Sequence, residues 1–61
     1  MRQIEIAEKA GITQGFVSLI LTGKRRPPWD VAKALAALTK TDVALWMEGD
    51  ETAKREALRA A

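Results

Sequence analysis

Cysteine and histidine are both absent from this chain of 61 residues. Without cysteine there is no disulfide staple and no thiol catalysis. Without histidine as well, zinc fingers and histidine-based acid–base or metal chemistry are excluded. Long hydrophobic runs are also missing. The longest apolar stretch, residues 16–21, is broken by Ser18 and falls far short of the roughly 20 residues that span a bilayer. No segment has the pattern of a signal peptide, so the expectation is a soluble, cytoplasmic protein. At this length the chain is one domain, residues 1–61, and it must rely on tight helix packing or on a partner.

The charge is small in sum, +2, and uneven in distribution. Up to Pro28 the cations Arg2, Lys9, Lys24, Arg25 and Arg26 face only Glu5 and Glu8. From Trp29 onward acids and bases nearly cancel. The excess therefore sits in the first half, mostly in Lys24, Arg25 and Arg26. Such a field attracts phosphate-rich partners, although a short basic run is by itself a weak signal.

Only helical patterns are present, which predicts an all-α fold of four to five short helices. Residues 2–10 carry Ile6, Ala7 and Ala10 on one stripe, and Gly11 suits a left-handed exit. Ile12 anchors the turn, and Thr13 is placed to cap the next helix, residues 14–22, which presents Val17 and Ile20 inward. Gly23 ends it, and Pro27 and Pro28 stiffen the loop that follows. A third helix, residues 29–39, carries Val31, Leu35 and Leu38, with small alanines allowing close approach. Asp42 is a candidate cap for a fourth, residues 43–48, which buries Val43, Leu45 or Trp46, and Met47. Asp50 is a candidate cap for a last helix, residues 51–59, with Ala53, Ala57 and Leu58 as a thin stripe and the greatest tendency to fray. Trp29 and Trp46 are expected to pack.

Two helices joined at a tight glycine turn, the helix-turn-helix unit of residues 3–23, meet what reading double-stranded DNA demands. One helix enters the major groove, a second braces it, and flanking groups grip phosphates. Gln14 stands at the start of the inserted helix, where glutamine can pair with adenine, and Ser18 lies one turn on. The helix carries no charge from Thr13 to Thr22, and its outward side is expected to offer Gln14, Gly15, Phe16, Ser18, Leu19 and Leu21. Affinity then has to come from its flanks, Arg2 and Gln3 on one side and Lys24, Arg25 and Arg26 on the other. Thr22 and the backbone amides near Gly23 are further neutral candidates.

Gln3, Ala7, Gly11, Ile12, Gln14, Val17, Ser18, Ile20 and the GKRRP of residues 23–27 together resemble the Xre/Cro-type helix-turn-helix proteins of bacteria and phages, the class that includes the lambdoid repressors. The resemblance covers about residues 3–48. It implies a small lambda-repressor-like bundle that binds operator DNA, usually as a homodimer, and so a transcriptional regulator or repressor associated with the nucleoid. Carried over position by position, Gln14, Gly15, Ser18 and Leu19 fall where bases are contacted, and Gln3 falls at the start of the bracing helix. Phe16, Thr22, Lys24, Arg25 and Arg26 fall near the phosphate backbone. Three departures stand out. The family's first helix precedes the position of Gln3, and its absence is expected to expose part of the core. Ile4 and Leu19 are apolar where the family is usually polar, and Gly15 offers no side chain to a base.

Other readings attach to the same residues. Phe16 at helical spacing fits the core as well as a contact. Ile4, Leu19 and Leu21 suit a helix-binding surface, which makes a protein-interaction module the alternative function. The carboxylates Glu5, Glu8, Glu48, Asp50 and Glu51 lie at helix surfaces and ends, where capping and solvation explain them. An enzyme is not expected, and neither a cofactor nor a metal is called for.

Overall fold

The computed structural model describes residues 1–61, arranged as α1 (Gln3–Ala10), α2 (Gln14–Leu21), α3 (Trp29–Thr39), α4 (Val43–Glu48) and α5 (Glu51–Ala60). Helices of eight residues do not persist alone in water, so packing rather than propensity must hold α1 and α2. Local chemistry fixes their ends. Glu5 accepts the Arg2 backbone N–H at 3.1 Å at the start of α1. Gly11 ends that helix at φ 75°, a left-handed value that glycine takes without a Cβ penalty. The Ile12 amide then donates back to the Ala7 carbonyl at 2.9 Å, closing the turn.

α2 presents Val17, Ile20 and Leu21 to the interior, positions i, i+3 and i+4 of one broad stripe. Leu21 is completely buried, which corrects the expectation that it lies on the outward side. α3 contributes Ala32, Leu35, Ala36 and Thr39, with Val31 and Leu38 half-buried at the edges of that stripe. The two buried alanines bring α3 close to its neighbours.

A polar lock joins α3 to α4. Thr39 donates its hydroxyl to the Leu35 carbonyl at 2.7 Å. The Trp46 indole Nε1 donates to Thr41 Oγ1 at 3.0 Å and reaches Thr39 Oγ1 at 3.3 Å. Trp46 is thereby the α4 anchor, buried with its one donor satisfied, as a core tryptophan requires. Asp42 makes no side-chain cap bond, contrary to expectation. The Trp46 lock, made from the preceding turn, fixes the helix instead. Trp29 is the other correction. It stands 62% exposed at the first position of α3, before the helix has turned its buried face inward.

α5 closes the remaining side. Asp50 caps it by accepting the Ala53 amide at 2.8 Å, and Lys54, Ala57 and Leu58 are buried against the bundle. The Met1 amino group donates to the Leu58 carbonyl at 3.0 Å. Ile6, Ile20 and Leu21 lie fully buried, so the core exposure expected beside α1 does not occur. No helix is long and apolar enough to cross a membrane.

Candidate nucleic-acid interface

α1 and α2 are set by the Gly11 turn and by the Thr13 hydroxyl, which accepts the Phe16 amide at 3.1 Å. This cap satisfies one orphan donor at the start of α2 and defines where the helix begins. Once that register is set, Gln14, Gly15, Ser18 and Leu19 all fall on the exposed side, leaving one uncharged outward surface with two hydrogen-bonding side chains. Gly15 has open space above it, with nothing within 4 Å of an added Cβ. Phe16 is half-buried and packs on the core cluster, so part of its ring is committed to packing.

Cationic groups flank this surface. Lys24, Arg25 and Arg26 are exposed, and none of them forms an ion pair; the carboxylate pairs of this chain are Arg55–Glu51 and Arg59–Glu56, both on α5. Arg2 is exposed and Gln3 half-buried at the head of α1. The loop carrying the cations is rigidly launched. Gly23 adopts φ 78°, the amides of Lys24 and Arg25 both fold back onto the Leu19 carbonyl at 3.0 and 3.2 Å, and Pro27 is a fully buried plug.

Those bonds carry a consequence for the neutral phosphate contacts. The amides of Thr22, Gly23, Lys24 and Arg25 are all spent within the chain, so they are not free donors as the sequence suggested. The Thr22 hydroxyl is likewise directed back to the Ser18 and Leu19 carbonyls, at 3.0 and 3.3 Å. What remains in this loop for an anionic partner is side-chain charge. An apolar docking surface fares less well: Ile4 and Leu19 are exposed by 47% and 37%, but Leu21 is not available to it.

Residues 1–46 match the family described as Helix-turn-helix. The chain belongs to that family, the Xre/lambda-repressor-like helix-turn-helix proteins. The match takes in α1, α2, the basic loop, α3 and the start of α4, ending at Trp46. This helix-turn-helix family is one of DNA-binding regulators rather than enzymes. No curated protein and no solved structure matches the chain.

One buried cation behind α2 was not legible in the sequence. Lys54 of α5 is 5% exposed, and its ammonium donates to the Ile20 carbonyl at 3.1 Å, in the last turn of α2. A lysine at this position reads locally as part of a solvated helix surface. Only the long-range carbonyl partner reveals it.

Proposed function

We propose that this helix-turn-helix protein binds double-stranded DNA sequence-specifically and regulates transcription, in the manner of a repressor. The observation that carries the reading is the outward surface of α2, neutral and hydrogen-bonding, flanked by exposed cations that no carboxylate pairs. α2 enters the major groove. Gln14 and Ser18 offer hydrogen bonds to base edges, and Leu19 offers a thymine methyl an apolar contact. Gly15 keeps the helix surface low, so a base or backbone can approach it closely. Arg2, Gln3, Lys24, Arg25 and Arg26 grip phosphates, with Phe16 and Thr22 at the groove wall.

The protein acts as a homodimer in this reading, placing two copies of α2 in successive major grooves about 34 Å apart. Exposed Ile4 supplies apolar area toward such association. A cytoplasmic, nucleoid-associated location follows from the partner.

Selection of bound sequences from a random duplex library tests the proposal. It predicts an enriched motif with two-fold symmetric half-sites one helical turn apart. Enrichment of a single asymmetric site removes the dimer, and no enrichment at all removes sequence-specific reading.

A further inference from the structure

The sequence and the family leave the surroundings of Lys54 unassigned. Between the basic loop and the α4–α5 junction lies an open depression of about 340 Å³, lined by Gly23, Arg25, Arg26, Met47, Glu48, Gly49 and Lys54. Three cations and one carboxylate border it. Lys54 is nine-tenths buried, yet no carboxylate lies within ion-pair distance of it. The ammonium's sole bond within the chain is the one to the Ile20 carbonyl, which uses one of its three donors.

Buried charges are ordinarily paired, because desolvation is costly without a counter-charge. The geometry of this chain instead places this buried lysine in the lining of a depression whose other cations, Arg25 and Arg26, are also unpaired. We propose that this depression is a phosphate-binding site, with Lys54 beneath the anion and Arg25 and Arg26 at its rim. Glu48 on the same rim repels a second negative charge, so the site suits a monoanionic phosphodiester better than a phosphate dianion. The source is then the backbone of the bound duplex, at a phosphate beside the groove that α2 enters. This assignment of source rests on the DNA-binding reading above; the anion chemistry does not. The site also couples α5, which lies beyond the residues that match the family, to the end of the recognition helix.

Amide chemical shifts of the whole chain at low salt, titrated separately with a random duplex and with inorganic phosphate, test the site. Expected are saturable duplex-induced shifts at Gly23, Gly49 and Lys54 beyond those on α2. Replacing the ammonium by an apolar chain of similar length, Lys54→Met, should lower the slope of log K against log salt by about one. Should that variant not fold, the surface variant Arg25→Gln with Arg26→Gln should abolish the shifts at Gly49 and Lys54. Saturation of the same amides by inorganic phosphate, without any duplex binding, keeps the anion site and removes its DNA source. Duplex binding with shifts confined to α2 and an unchanged Lys54→Met slope overturns the site and leaves the DNA reading standing. Silence of these amides toward both probes overturns it as well.

Discussion

The ammonium of Lys54 and the carbonyl of Ile20, 34 residues apart in sequence, meet at 3.1 Å. That bond ties α5 to the last turn of α2, where the aligned peptide dipoles concentrate negative partial charge and favour a cation. Truncation of the side chain removes the packed stem as well as the bond. Lys54→Ala should therefore lower unfolding free energy by about 1–3 kcal/mol in a urea titration. A loss below the measurement error would reduce the bond to an incidental contact.

Thr13 sets the start of α2 through the Phe16 amide. Thr13→Ala should cost about 1 kcal/mol, and Thr13→Asn or Thr13→Ser should restore most of it. Equal stability of all four proteins by thermal melting argues against the cap.

Two glycines should respond in opposite directions to alanine. At Gly49 an added Cβ would collide with the Leu45 carbonyl oxygen, a clash with backbone. Gly49→Ala should destabilise the fold by about 1–3 kcal/mol. Gly15 lies within α2 with open space above it, so Gly15→Ala should stabilise by about 0.5–1 kcal/mol. If DNA approaches that helix closely, the same substitution weakens specific binding while raising the melting temperature. Unchanged affinity would show that the space above Gly15 stays empty in the complex.

The two tryptophans should separate cleanly. Trp46→Ala removes a buried ring and leaves the Thr39–Thr41 pair without its indole donor, at an expected cost of about 3–5 kcal/mol. Trp29→Ala, at an exposed site, should change stability by no more than about 0.5 kcal/mol. Acrylamide quenching of Trp46→Phe and Trp29→Phe checks the assignment directly, since only the former retains the quenchable ring.

What the sequence revealed divides along the range of the interactions. The Gly11 turn, the Thr13 and Asp50 caps and the existence of five helices were legible because each is decided within a few neighbouring residues. Helix ends differ from expectation by a single residue: α1 begins at Gln3, α2 ends at Leu21 and α5 reaches Ala60. Leu21 and Trp29 were misplaced because both sit at the margin of a stripe, where a neighbouring helix decides burial. α5 covers the first, and nothing covers the second. Asp42 has the right chemistry for a cap, yet no bond forms. Lys54 was invisible, since its carbonyl partner lies three loops and two helices earlier in the chain. The outward placement of Gln14, Gly15, Ser18 and Leu19 followed from α2 register, whereas the spent loop amides required the three-dimensional turn.

The central claim is that charge flanking a neutral helix grips DNA. The most direct test is titration of a labelled random duplex at low salt, repeated as salt is raised. Saturable binding is expected, with log K falling linearly with log salt and the slope reduced by about three when Lys24, Arg25 and Arg26 are all changed to glutamine. Gln14→Ala should leave this non-specific binding intact and cost about 1–3 kcal/mol only on a selected site. No detectable binding of the unaltered protein at low salt would contradict the account.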